Sequence, residues 1–325
     1  MAEFSQTHDR NAGRELAYFW GIGDLHYRTI PSWYEFQTQR FALMFADLRE
    51  LWRAEGDPMC CVSPGDLIEI CTEENYTLAR ATLQEQLGAI PLYPGVGNHE
   101  YFDPAGSSDP ATRAQMFTSF WGKPLRYSWQ VGDIVCIMLD YPNPALLADP
   151  LMVFISQETL SFLDEQLQIH DDKPAVIFLH CPLFNTVLSR DPEQQRDYNS
   201  LRHFFSPENS QEVRAILARH RNARLFISGH THSGWEAPNL VVTEHFAEHD
   251  VTFVNLMSPW YTGRHKGFKL SEDLTSSTYT PDEPDVIPSF AFHLYQEQIT
   301  IRVRDHRTRQ WLKAWTIPIH TLSSL

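Results

Sequence analysis

Over the first two-thirds of the chain, short apolar runs alternate with longer stretches whose apolar residues recur every three or four positions. Leu16 to Ile22 is such a run; it closes on Gly-Asp-Leu-His and reads as a buried strand followed by a tight turn. Phe41, Met44, Phe45, Leu48, Leu51 and Trp52 share one face of a helix. Met59 to Ser63 reads as a strand ending in Pro-Gly-Asp, Glu74 to Leu87 as a helix, and Ile90 to Val96 as a strand ending in Gly-Asn-His-Glu. A helix is expected within Pro104 to Phe120, then a hairpin across Leu125 to Leu139 that turns at Gly132-Asp133. Helices near Gln157 to Ile169 and Gln211 to His220 precede strands Ala175 to Leu179 and Arg224 to Ser228, which end in His180 and in Gly-His-Thr-His. The last third is strand-like at Val241 to Val242, Val251 to Leu256, Phe290 to Tyr295, Ile299 to Val303 and Trp311 to Ile317, with Ser271 to Pro288 read as a loop.

Five strands therefore each end in residues that can bind a metal or a phosphate. In layered α/β folds, ligands bind beyond the carboxyl ends of strands, so these five clusters are expected at one edge. The 325 residues are 42% hydrophobic and 13% aromatic, enough apolar surface for a substantial core. No stretch has the roughly 18 consecutive apolar residues of a membrane helix, so no membrane association is expected. Met1 to Glu15 is polar and lacks an export signal's apolar centre, which makes the cytoplasm the expected compartment. The five cysteines (60, 61, 71, 136 and 181) form no CxxC pair, so a zinc ribbon or redox site is not supported. With 26 Lys and Arg against 41 Asp and Glu, the net charge of −15 disfavours nucleic acid as a partner, because binding its backbone requires neutralising phosphates.

The candidate ligands are Asp24, His26, Asp66, Asn98, His180, His230 and His232. Two carboxylates, one amide oxygen and four imidazoles suit Mn, Fe, Zn or Co better than Ca or Mg, which prefer all-oxygen shells. Seven ligands exceed one tetrahedral zinc and suit two ions sharing a carboxylate. Nine other histidines, His8, His170, His203, His220, His245, His249, His293, His306 and His320, are assigned ordinary structural roles.

The order Gly23-Asp-Leu-His26, Gly65-Asp66, Gly97-Asn-His-Glu100, His180-Cys-Pro182 and Gly229-His-Thr-His232 resembles the calcineurin-like metallophosphoesterase superfamily. That resemblance covers about Leu16 to His232 and implies an α-β-β-α sandwich with mixed sheets. It also implies a single domain over 1–325, in which 233–325 completes the sandwich. By the same resemblance, Asp24, His26 and His232 hold one divalent or trivalent ion, Asn98, His180 and His230 a second, and Asp66 bridges them. His99 would protonate the leaving group. Glu69 stands where many relatives carry an Asp that pairs with that histidine. Purple acid phosphatases have an iron-binding Tyr there, and Ser/Thr protein phosphatases continue into an Arg-rich motif; this chain has neither, so it looks like the bacterial cyclic-nucleotide phosphodiesterase branch. Cys181 stands where many bacterial relatives have a second His.

The implied activity is hydrolysis of small phosphodiesters or phosphomonoesters by a metal-bridging hydroxide. A non-catalytic binding module of the same fold and a nuclease of the same superfamily are the alternatives. For substrate contacts, Tyr27, Arg28, Tyr101, Tyr141, Trp235, Arg264 and His265 lie near the motifs or in an irregular stretch. Arg264 and His265 are the preferred second anion contact.

Overall fold

The computed structural model describes residues 12–106, 108–140, 154–187, 207–233, 239–259, 269–270, 277–278 and 286–319. Their elements run β1 (Glu15–Gly21), α1 (Pro31–Glu55), β2 (Cys61–Ser63), α2 (Glu73–Leu87), β3 (Leu92–Pro94), α3 (Pro110–Trp121), β4 (Tyr127–Val131) and β5 (Ile134–Met138). They continue as α4 (Gln157–Ile169), β6 (Ala175–Phe178), α5 (Pro207–Arg219), β7 (Ala223–Ser228), β8 (Val241–His245) and β9 (Asp250–Asn255). Last come β10 (Lys269–Leu270), β11 (Ser277–Thr278), β12 (Pro288–Tyr295), β13 (Gln298–Asp305) and β14 (Gln310–Pro318).

Strand β1 shows no polar alternation because both of its faces are covered. Tyr18 and Trp20 pack outward with Phe41, Met44, Phe45, Leu48 and Trp52 of α1. Ala17 and Phe19 point inward, into a core shared with Met138, Phe178, Ile227, Phe290 and Phe292. A third cluster packs α4 and α5, through Leu163, Leu167, Val213 and Leu217, against the outer side of Val135, Ile177 and Phe226. The result is two sheets face to face with helices on both outer faces, an α-β-β-α sandwich. One sheet has the order β14-β13-β12-β1-β2-β3 and the other β4-β5-β6-β7-β9-β8.

Strands β1, β2 and β3 are mutually parallel, as are β5, β6, β7 and β9. This direction sends the carboxyl ends of β1, β2, β3, β6 and β7 to one edge. Strands made after residue 232 complete both sheets: β8 and β9 extend the second, while β12, β13 and β14 flank β1 in the first.

Some elements differ from expectation. Strand β3 is only Leu92–Pro94, since Pro91 and Pro94 offer no N–H to continue its ladder. Strand β8 runs on to His245. Helix α3 begins at Pro110, where the Asp109 side chain caps it by accepting from Thr112 N at 3.0 Å. Within the segment 271–288 read as a loop, Ser277–Thr278 pairs with Lys269–Leu270, and Pro288 already belongs to β12. All five cysteines are buried as free thiols, packed as small apolar groups.

Candidate metal centre

At the shared edge, Asp24 and His26 follow β1, Asp66 follows β2, Asn98 and His99 follow β3, His180 follows β6, and His230 and His232 follow β7. Three groups of potential ligand atoms form there among the described residues: Asp24, His26, Asp66 and His232; Asp66, His180 and His230; and His26, Glu69 and His99, each with its atoms within 4.8 Å of one another. Asp66 belongs to the first two. Its Oδ2 lies 3.0 Å from His180 Nε2 and 3.7 Å from His26 Nε2. In the first group, His26 Nε2 and His232 Nε2 are 3.1 Å apart, and His232 Nε2 is 3.6 Å from Asp24 Oδ1. In the second, Asn98 Oδ1 sits 3.1 Å from His180 Nε2 and 2.8 Å from His230 Nδ1.

The backbone bends unusually to achieve this convergence. Asp24, His26, Asp66, His230 and His232 all have positive φ, between 48° and 71°. For residues with a Cβ, such conformations cost on the order of 1–3 kcal/mol each and persist only where surrounding contacts impose them. Those contacts are visible. The buried Glu100 carboxylate accepts N–H bonds from Asp66 (2.9 Å), Leu67 (2.9 Å) and Gly97 (2.6 Å), which fixes the turn after β2. Gln37 on α1 donates to the carbonyls of Leu25 and His26 at 3.0 and 2.5 Å. Asn255 donates to the Gly229 carbonyl and accepts from Thr231 Oγ1, both at 2.6 Å. Ser258 Oγ donates to the Asp24 carbonyl at 2.7 Å, and the His230 N–H donates to Asp24 Oδ1 at 2.8 Å. Gly97 and Gly229 have to be glycine, because a Cβ at either would overlap the Asp66 or Asp24 carboxylate.

The electrostatics are those of a crowded, dry acid-base cluster. Burial pushes the Asp24 carboxyl up to about 6, against the pull of His180. Asp66 behaves oppositely: burial opposes its charge, but His180 and His99 hold it well below the ordinary carboxylate range. His230 is pushed down to about 3 by burial and by the charge on His180, which leaves a neutral imidazole fit to ligate. Asp24 Oδ2 is buried and makes no hydrogen bond among the described residues. Buried carboxylates are normally paired or coordinate a cation, so a buried carboxylate oxygen among converging imidazole nitrogens fits a metal ligand.

Glu69 faces two histidines, its expected neighbour His99 and also His26. Its Oε2 is 2.7 Å from His26 Nδ1 but 3.5 Å from His99 Nδ1, and His99 Nδ1 instead donates to the Glu69 main-chain carbonyl at 2.7 Å. Arg28 is buried on the same carboxylate, with Nη1 3.8 Å from Oε1. Burial opposes ionisation of Glu69, but His99 and His26 outweigh it and lower its pKa. His99 is lifted to about 9: burial opposes the charge, while Glu69 and Asp66 favour it more strongly.

Of the substrate-contact candidates, Tyr27 and Tyr101 are buried in the helix-side core. Tyr141, Trp235, Arg264 and His265 lie outside the described residues. Glu100, Gln37, Asn255 and Ser258 were not singled out from the sequence. Only Glu100 carried a signal there, as the last letter of Gly-Asn-His-Glu.

A sandwich with an acid and imidazole cluster at the carboxyl ends of its parallel strands defines a metallophosphoesterase type of architecture. The sequence match agrees: residues 17–234 match the calcineurin-like phosphoesterase family, and the chain belongs to that family. Among curated proteins none matches the sequence. Among solved structures the fold is similar to a dimetal phosphatase from Danio rerio, with 16% identity, TM-score 0.59, and coverage of 94% of this chain and 100% of that one. It is similar to GAP50, described as the anchor in the inner membrane complex of Plasmodium, with 13% identity, TM-score 0.56, and coverage of 94% and 89%. It is also similar to the purple acid phosphatase PPD1 of yellow lupin (Lupinus luteus) seeds, with 13% identity and TM-score 0.55, covering 94% of this chain but 54% of that one. No helix among the described residues is long and apolar enough to cross a membrane.

Proposed function

We propose that the chain hydrolyses small phosphodiesters or phosphomonoesters at two metal ions, one held by Asp24, His26 and His232, the other by Asn98, His180 and His230, with Asp66 shared. The observation that carries this reading is the position of Asp66, whose Oδ2 approaches a histidine of each group, at 3.0 and 3.7 Å. The donor set fits Mn, Fe, Zn or Co. When bound, two such ions acidify water and neutralise charge on phosphate oxygens.

The chain's own residues do the rest. Glu69 accepts the Nδ1 proton of His26, which fixes its tautomer and leaves Nε2 as the ligand atom. His99 gives its Nδ1 proton to the Glu69 carbonyl, so Nε2 is the nitrogen left to protonate a departing alkoxide. Glu69 and Asp66 both favour the cationic form of His99. The charge of −15 repels a long polyanion, while a small ester meets only the local positive field of the ions.

Elemental analysis combined with a panel of mono- and diesters tests the proposal. Asp66→Ala should release both metals and lower kcat/KM by more than about a thousandfold, whereas Asn98→Ala should chiefly weaken one. Retention of both ions by the Asp66 variant would overturn the assignment.

A further inference from the structure

The proposed ligands come from two different sheets. Asp24, His26, Asp66 and Asn98 follow strands of the first, while His180, His230 and His232 follow strands of the second. Each proposed ion therefore takes ligands from both sides of the sandwich, and the spacing of the sheets at this edge sets the distances between them. Apolar contacts between the sheets are non-directional, so hydrogen bonds that cross from one sheet to the other add the alignment.

Two such bonds meet at Asp24. The His230 N–H donates to its Oδ1 at 2.8 Å, and Ser258 Oγ donates to its carbonyl at 2.7 Å. Arg40 of α1 adds a link that reaches both sheets at once. Its Nε donates at 3.2 Å to the carbonyl of Pro259, which lies beyond β9 and directly follows Ser258. Its Nη2 donates at 2.6 Å to the carbonyl of Val286, just before β12.

Arg40 is only 5% exposed, beside the apolar Phe41, Met44 and Phe45 of the same helix. Burying a guanidinium is costly unless its N–H groups find acceptors, and its planar fork bonds in a fixed geometry. A buried arginine that only docked a helix onto a sheet would be unremarkable. Here one of its carbonyls adjoins the serine that holds Asp24, and Asp24 sits at a φ of 51° that needs outside support. Gln37, one turn earlier on α1, holds the Leu25 and His26 carbonyls of the same loop.

Resting on the two-metal reading above, we propose that Arg40 is a positioning residue for the ion at Asp24, His26 and His232. It clamps the exit of β9 to the entry of β12 and, through Ser258, holds Asp24 at its distance from His232.

The test uses the full-length protein as wild type, Arg40→Met, Arg40→Lys, Ser258→Ala and the Arg40→Met/Ser258→Ala double variant. Manganese(II) titration reads the two binding steps, and electron paramagnetic resonance reads whether the bound ions form a coupled pair. Arg40→Met and Ser258→Ala should each weaken one step by about tenfold and leave the other within about threefold. Because both act along one path, the double variant should stay within about threefold of the single ones, where independent effects would multiply to about a hundredfold. Arg40→Lys keeps the buried cation without the fork and should fall between wild type and Arg40→Met; it takes the place of Arg40→Met in the cycle if that variant does not fold. In chelator, exchange of the His230 N–H should quicken in Arg40→Met while amides of α4 keep their rates. Unchanged manganese affinity together with unchanged His230 exchange overturns the clamp, and so does a multiplicative loss in the double variant. If wild type binds no manganese pair but His230 exchange quickens in Arg40→Met, the clamp stands and the two-metal reading falls.

Discussion

Two buried clusters in this molecule each join histidine to carboxylate, and they are built on opposite principles. In the first, five of the seven proposed ligands have positive φ, and Asp24 Oδ2 makes no hydrogen bond among the described residues. The second lies between α1 and β13. There Trp20 Nε1 donates to Ser289 Oγ at 2.6 Å, Ser289 Oγ meets His306 Nε2 at 2.6 Å, and His306 Nδ1 meets Asp47 at 2.8 Å. Arg304 adds a two-pronged bond to the same Asp47 at 2.8 and 2.9 Å. Asp47, Ser289, Arg304 and His306 are all outside the positive-φ set. A serine, a histidine and an aspartate in hydrogen-bonded sequence look like a nucleophilic triad. Yet Ser289 is buried at 1% exposure beneath Trp20, and its hydroxyl is already engaged. A cluster whose polar atoms satisfy one another is structural; one that leaves acceptors over and strains its backbone is arranged for something not of the chain.

The strongest way to break this contrast is to remove the central acid of each cluster. Asp47→Ala leaves Arg304 and His306 buried without their acceptor and should cost about 3–5 kcal/mol of stability, read as a shift in denaturant midpoint. Asp66→Ala in chelator removes a buried acid that accepts from the His99 N–H and is favoured by His180 and His99, and should cost about 1–3 kcal/mol, less than the Asp47 change. Comparable losses in the two variants would erase the distinction.

A smaller effect separates the two sides of His26. Glu69→Ala should weaken the ion at Asp24, His26 and His232 by about 10- to 100-fold, with much less effect on the second ion. Metal titration followed ion by ion checks this. Unchanged affinity for the first ion would mean that Glu69 serves only His99 and Arg28.

The smallest expected effect is on pH dependence. Burial opposes the Asp47 charge, but Arg304 and His306 outweigh it and hold its carboxyl below the usual range. Burial keeps His306 below its ordinary value despite Asp47. Both depressed groups stabilise the fold above their unfolded values and lose that contribution as pH falls, from about 6.5 for the imidazole and from about 4 for the acid. The stability difference between wild type and His306→Asn should therefore narrow by on the order of 1 kcal/mol as pH drops from 7 to 5. A difference that widens toward acid would reverse the sign of the linkage.

The same contrast explains what could be read from the sequence. The convergence of Asp24, His26, Asp66, Asn98, His180, His230 and His232 was legible because they follow the ends of apolar strands, and parallel strands must deliver their ends to one edge. The network around Asp47 was not, since His306 follows no motif and its partners lie 17 and 259 residues away in sequence. Ser258 and Asn255 escaped for the same reason: their work is done on main chain brought close only by folding. That Glu69 also meets His26 was not visible, because sequence gives a side chain's length but not everything that stands at its end. Strand β3 was overextended because apolar periodicity does not register a missing N–H at Pro91 and Pro94.

Strand β1 delivers Asp24 and His26, yet one of its two neighbours is β12, made some 270 residues later. On a growing chain, the first ligands therefore emerge long before the strand that fixes them, and Ser258, which holds Asp24, also comes late. Closing so distant a pairing is slow and cannot precede release of the last strands. On the proposed reading, ordering of the first ligands would then wait for β12 and Ser258. A fragment stopping at residue 234 would carry every proposed ligand and still lack the strand and the hydroxyl that hold the first of them in place.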